Sequence, residues 1–239
     1  MPADSAARPH RFYKEVATPA GEAGFSVTLD GRVAKSPAGR PLSLPNLGLA
    51  QAVAAEWASQ GATIDRAGMI MTRLAFTAID RTPAAREAMA AEAARYASSD
   101  VLCYRAEHPE ALVAHEAVEW DPWLVWADHE LGVRLRAVHG VGHRPQPPEA
   151  LARVNALAAG LDDMALTGLL HAAGLYGSAV LAFAVQRGAL GGEAAFEISR
   201  LDERFQIERW GLDAEAEARI AYDRADARML DAWFKGLAG

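Results

Sequence analysis

The chain has 239 residues, 51% of them hydrophobic, and a formal net charge of -7. That is enough for one large domain or two small ones with a real core, and it excludes a disordered tail. No basic stripe is present, which argues against nucleic acid as a partner, and the single cysteine, Cys103, allows neither an internal disulfide nor a cysteine-rich metal site.

Residues 12–44 read as strands. Phe25–Leu29 alternates, Asp30-Gly31 forms a hairpin turn, and Arg32–Lys35 returns. From Asn46 the pattern becomes helical: Leu47, Ala50, Val53, Ala54 and Trp57 share one face, which makes Trp57 a core residue. Two more helices are predicted over Met71–Ile79 and Pro83–Ala97, the second with Thr82 as its cap and Pro83 in its first turn. Val101–Arg105 fits a strand or a helix extension. Glu110–Glu119 is helical, and Asp121-Pro122 reads as a fresh helix start running to about Leu131. Val133–Val138 alternates like an edge strand, a Gly/Pro-rich loop follows over 140–148, and everything from Glu149 onward is helical. The spacing of Trp120, Trp123 and Trp126 suggests core packing.

Met164–Gln186 is apolar nearly all round and long enough to span a bilayer. It holds Thr167, His171, Ser178 and three glycines, and its flanks lack the basic clusters and aromatic belt of a membrane helix. The segment is therefore expected to be one buried central helix.

The run Glu193–Gly211 is expected to be a helix stopped by Gly211. At 100° per residue, Ala194, Ile198, Leu201 and Phe205 form a core stripe. Phe196, Glu203, Ile207 and Trp210 form a second stripe. A carboxylate among three large apolar residues marks either a partner surface with a charged specificity element, or a structural ion pair with an Arg from a neighbouring helix.

No catalytic constellation emerges. His115-Glu116-Ala117-Val118-Glu119 lacks the second histidine of a zinc helix, and a solvated helix face is expected there. His139 and His143 flank a flexible loop without an evident third ligand. His171 reads as a core histidine, Ser178 is not at a nucleophile elbow, Cys103 has no activating neighbour, and no phosphate-binding loop occurs. No metal and no cofactor are expected. The alternative function is a metal-dependent hydrolase using His115, Glu119, His139 or His143.

Four segments in order carry a resemblance. They are Arg11-Phe12-Tyr13-Lys14 with Leu29-Asp30-Gly31-Arg32; Glu56-Trp57 with Gln60 and Ile64; Asp100 to Arg105 with Trp120-Asp121-Pro122; and Ser199-Arg200-Leu201-Asp202 through Gln206 to Trp210-Gly211. Together they resemble the family of ATP synthase F(1) complex assembly factor 2. The resemblance implies a chaperone without enzymatic activity that holds the free alpha subunit of the catalytic head until the beta subunit replaces it. It implies an α+β fold, with a small β-containing N-terminal domain followed by a larger mostly α-helical one; the boundary is expected near residue 85, giving domains 1–85 and 86–239. It also implies a functional role for Asp202 and Glu203. The client-binding residues are thus expected to be Asp202, Glu203, Ile207, Trp210 and Phe196. No apolar run or presequence opens the chain, so the expected setting is the cytoplasm of a bacterium, with the mitochondrial matrix for eukaryotic relatives, and the expected state a monomer that does not enter membranes.

Overall fold

The computed structural model describes residues 8–22, 24–140, 142, 144–211 and 214–238. The chain divides into two compact units. One takes the described residues up to Arg81 together with those from Lys235 onward, and the other is Thr82–Phe234. The division thus falls four residues before the boundary expected from the sequence, and the end of the chain returns to the first unit.

The first unit opens with short antiparallel strands. These are β1 (Val16–Ala17), β2 (Ala20–Gly21), β3 (Gly24–Ser26), β4 (Thr28–Leu29), β5 (Arg32–Val33) and β6 (Ser43–Leu44). They form two sheets, ordered β1-β4-β5 and β2-β3-β6. The hairpin between β4 and β5 turns on Asp30 and Gly31, with φ of 48° and 77°. Positive φ at both central residues is what a two-residue hairpin with native twist needs, and Asp-Gly supplies it at low cost. The Asp30 carboxylate then accepts from the Lys14 and Glu15 amides at 3.0 and 2.8 Å, which ties the residues leading into β1 to the turn and holds its pKa below the usual range.

Helix α1 (Leu47–Ala58) begins at Asn46, whose Oδ1 accepts from the Leu49 amide at 3.0 Å. Its buried face is Leu49, Ala50, Val53, Ala54 and Trp57, as the spacing predicts. Trp57 is 8% exposed, and its carbonyl accepts from the Tyr13 hydroxyl at 2.7 Å. A single 3-10 turn (Arg66–Gly68) leads into α2 (Ile70–Asp80). The cap of α2 comes from a distance: Glu56 on α1 accepts from the amides of Met71 and Thr72, both at 2.8 Å. Burial raises the Glu56 pKa, and these donors work against that rise.

The second unit is helical. It contains α3 (Thr82–Ser98), a 3-10 turn (Val101–Cys103), β7 (Tyr104–Arg105), α4 (Glu110–Trp126), a π turn (Ala127–Leu131), β8 (Val138–His139), α5 (Pro148–Ala159), α6 (Asp163–Tyr176), α7 (Ala179–Gln186), α8 (Gly192–Ser199), α9 (Leu201–Trp210) and most of α10 (Ala214–Ala238). Strands β7 and β8 pair in parallel. The α+β class read from the sequence is observed.

Three local readings are corrected. Asp121-Pro122 does not restart a helix: α4 runs straight through with Pro122 inside it. The carbonyl that Pro122 leaves unpaired belongs to Val118, on an exposed face where water can satisfy it. Of the alternating 133–138 segment only Val138 enters a ladder, together with His139 after it. Earlier in that segment Arg136 is paired by a side chain instead. Gln146 Oε1 accepts from its amide at 2.8 Å, and Gln146 Nε2 donates to its carbonyl at 2.9 Å, as a neighbouring strand would. Met164–Gln186 is two helices, broken at Gly177 (φ 62°), with Ser178 capping α7 through the Leu181 amide at 3.0 Å. Both pieces are largely buried, and no described helix is long and apolar enough to cross a membrane.

Candidate functional site

The run Glu193–Gly211 is not one helix. Helices α8 and α9 meet at Arg200, where φ of -104° and ψ of 18° depart from the helical range. The Arg200 guanidinium fills this corner. It donates to Glu203 Oε1 at 2.7 Å, lies 3.5 Å from Asp223 Oδ2 on α10, and covers the Phe196 ring at 5.4 Å. Behind it, α8 is fastened to α10 by Glu197 to Arg224 and Glu193 to Arg228, each within 2.6 Å, and by the Gly192 amide donating to Asp231 at 2.8 Å.

The bend resets the helical phase, and the two stripes expected from the sequence change membership. Phe196 is 1% exposed and belongs to the core, so it is not on a partner face. Ala194, assigned to the core stripe, is exposed, while Leu201 is buried and Phe205 half-buried. Of the second stripe, the outward groups on α9 are Glu203, with 49% of its side chain exposed, and Trp210, which is 82% exposed, while Ile207 is half-buried; Arg204, Gln206 and Arg209 are exposed there too. Glu203 does pair with an arginine, but one on the preceding turn rather than on a neighbouring helix. Gly211 stops α9 as predicted, with φ of 82° and its amide on the Ile207 carbonyl at 2.8 Å.

Asp202 faces the other way from Glu203. Its Oδ1 is buried without a donor, beside the carboxyl of Glu116 on α4. Glu116 is fully buried, although His115 beside it is exposed and Glu119 half-buried, as a solvated face for those two positions expects. Both of its oxygens accept from the Ala106 amide, at 3.1 and 3.0 Å. Burial pushes Glu116 up to about 7, Asp202 beside it pushes the same way, and the Ala106 amide and Arg105 oppose the rise. A proton on Glu116 is then the donor that Asp202 lacks. Arg105 is itself fixed by bonds to the Leu102 carbonyl at 2.9 Å and Asp121 at 2.7 Å, under the Trp120 ring. The Trp120 indole donates to the Ile198 carbonyl at 2.9 Å, so α4 is bonded to the end of α8 as well.

The remaining candidates stay apart. His115 is exposed on α4, and His139 lies in β8. His143 lies outside the described residues. Among the described residues no group of three His, Cys, Asp or Glu could hold a metal. His171 is about one-quarter exposed and meets Asp226 at 3.1 Å. Cys103 is buried, and burial raises its thiol pKa. Glu116 and Arg200 carry no signal of their roles in the sequence. Their importance depends on partners 86 and 23 residues away, which no local spacing reveals.

Residues 10–128 match the family described as ATP12 chaperone protein. The chain is 26% identical over 214 residues to the mitochondrial protein atp12 of Schizosaccharomyces pombe, covering 84% of this chain and 73% of that protein. Its structure is similar to crystal structures of Atp12 from Paracoccus denitrificans and of the Atu1473 protein from Agrobacterium tumefaciens. The first comparison gives 41% identity and a TM-score of 0.89 over 95% of this chain and 98% of the other. The second gives 39% identity and a TM-score of 0.90 over 96% and 86%. The chain belongs to the ATP12 chaperone family.

Proposed function

We propose that this chaperone acts in assembly of the ATP synthase catalytic head by binding the unassembled alpha subunit, as a monomer and without enzymatic activity, until the beta subunit displaces it. An unassembled subunit exposes apolar interface that aggregates if left bare, and a cap that binds weakly enough to be displaced needs no nucleotide. The observation that carries the reading is the outward face of α9, where Trp210 stands 82% exposed beyond Glu203. A large aromatic left in solvent beside a charged group suits the anchor and the specificity element of an interface. Ile207 and Trp210 would supply apolar area and Glu203 the charge. Asp202 would act from behind by fixing α9 on α4, and Phe196 by packing under Arg200.

Glu203→Lys tests this. It replaces the Arg200 ion pair, which is worth no more than about 1 kcal/mol on an exposed surface, so melting should move little. Capture of purified alpha subunit should weaken at least tenfold, because a reversed charge at a complementary interface repels. Glu203→Asp should do much less harm. A variant that melts early, or that captures the subunit as well as the parent does, defeats the assignment of this face.

A further inference from the structure

The first unit holds a second surface that the α9 face leaves unexplained. A cavity of about 520 Å³ is walled by Phe12, Tyr13, Leu29, Trp57 and Ile64 and edged by Arg32, Lys35 and Arg66. A further cavity of about 340 Å³ adjoins it, sharing Lys35, Trp57 and Arg66. Phe12 stands 72% exposed, and β5, which lines the same cavity, is one of the two edge strands of its sheet.

Among the described residues the Arg32, Lys35 and Arg66 side chains take part in no ion pair or hydrogen bond. The acid in the first cavity's wall, Asp30, is committed to the Lys14 and Glu15 amides. The cations therefore border an aromatic surface with no counter-charge supplied by the chain. The charge of the whole sequence sharpens this. Residues 1–81 and 235–239 carry 10 Lys and Arg against 7 Asp and Glu, whereas residues 82–234 carry 14 against 24. The cationic rim belongs to the unit with net positive charge inside an acidic chain. Of the sequence segments singled out above, Phe12-Tyr13, Leu29 to Arg32, Trp57 and Ile64 all converge on this one cavity.

We propose that this groove binds an extended acidic peptide segment, one that inserts an apolar side chain beside Phe12 and places carboxylates against Arg32, Lys35 and Arg66. An edge strand offers backbone groups to such a chain, and alternate side chains then reach the pocket and the rim. Two adjoining cavities that share Trp57 suit a length of chain better than a compact anion.

The test uses the full chain, labelled with nitrogen-15, and three blocked heptapeptides, GDEFDEG, GNQFNQG and GKKFKKG, at about 150 mM salt, near physiological ionic strength. The acidic peptide should bind at least tenfold tighter than the neutral one and shift the amide signals of residues 12–13, 32–35 and 66. The double variant Arg32→Glu, Lys35→Glu should lose the acidic peptide and gain the lysine peptide. Both side chains are exposed, so the fold should survive, and Phe12→Ala should weaken the acidic and neutral peptides alike. Equal binding of acidic and neutral peptides overturns the proposal. So does unchanged binding in the double variant, and so do the same shifts from inorganic phosphate alone at the same concentration. No alpha subunit enters this assay, so its outcome is independent of the reading of α9.

Discussion

Glu116 titrates near neutrality because its surroundings supply one backbone donor and a second carboxyl rather than water. Its pKa in the folded chain, about 7, lies above the ordinary 4.5, so folding takes up a proton that the unfolded chain releases between those values. The sign follows from linkage. The stability this group contributes is whole below about pH 4.5 and is lost as the pH rises toward and through 7. Above that a charged Glu116 faces the Asp202 carboxyl between α4 and α9, with Arg105 as the cation that opposes the rise. Glu116→Gln should remove this dependence. The amide oxygen can still accept from Ala106, and its NH₂ gives Asp202 Oδ1 the donor it lacks at every pH. At pH 8 the variant should be more stable than the parent by about 3 kcal/mol, a rise in melting temperature of roughly 6–12 °C. At pH 4.5 the two should melt together. A parent protein whose melting temperature does not fall from pH 5 to pH 8 would show that Glu116 keeps its ordinary acidity. The residue was invisible as a buried acid in the sequence, since His115 and Glu119 around it are solvated and only the fold brings Asp202 to it.

Helix pairs in the second unit are held at close range by glycines, and one of them sets the seat of α8. A Cβ at Gly192 would overlap the Ala227 carbonyl oxygen on α10, which is backbone and cannot swing aside. Gly192→Ala should therefore separate α8 from α10 and stretch the Glu193–Arg228 and Glu197–Arg224 pairs. The expected loss is about 1–3 kcal/mol, the usual cost of overpacking. Gly61→Ala is the control: a Cβ there would meet nothing within 4 Å, and the residue's φ is not in the left-handed region. It should be neutral or stabilising by up to about 1 kcal/mol. Calorimetry on the two variants checks both, and a Gly192 variant that melts like the parent would mean that α8 can shift freely. The element scale is also where sequence reading succeeded and failed most clearly. The Asp30-Gly31 hairpin, the Asn46-initiated helix and the Gly211 stop are written in residues whose backbone preferences decide the geometry. The break at Arg200 is not, because neither Ser199 nor Arg200 is a breaker, and the burial of Phe196 before it and Leu201 after it comes from the fold and not from local sequence. That one bend moved Phe196 from the proposed face into the core. Gly177-Ser178 did carry a signal, a left-handed glycine followed by a capping serine, but the surrounding apolar run masked it.

At the scale of the whole chain the last turn of α10 is brought against the start of α1 within the first unit. Gly236 lies against α1, where a Cβ would approach the Leu49 Cα to 3.0 Å, and Gly48 faces the same glycine. Asn46 links both: its Oδ1 caps α1 at Leu49, and its Nδ2 donates to the Leu237 carbonyl at 3.1 Å. A strand-then-helix reading of the sequence assigns residues 235–239 to the helical part, because nothing in their composition points back to the start of the chain. The consequence is that a C-terminal deletion should damage the N-terminal unit. Truncation after Phe234 exposes the Gly48–Leu49 surface of α1 and leaves the Asn46 amide without its acceptor, while the cap itself survives. Hydrogen exchange of the α1 amides over Leu49–Trp57 should quicken at least tenfold, which corresponds to about 1.4 kcal/mol of lost local stability. Asn46→Asp separates the two roles of that residue. The aspartate still caps α1 but cannot donate to Leu237, so it should reproduce only part of the effect. If the truncated chain exchanged its α1 amides at the parent's rate, the end of α10 would contribute nothing to the unit it is folded against.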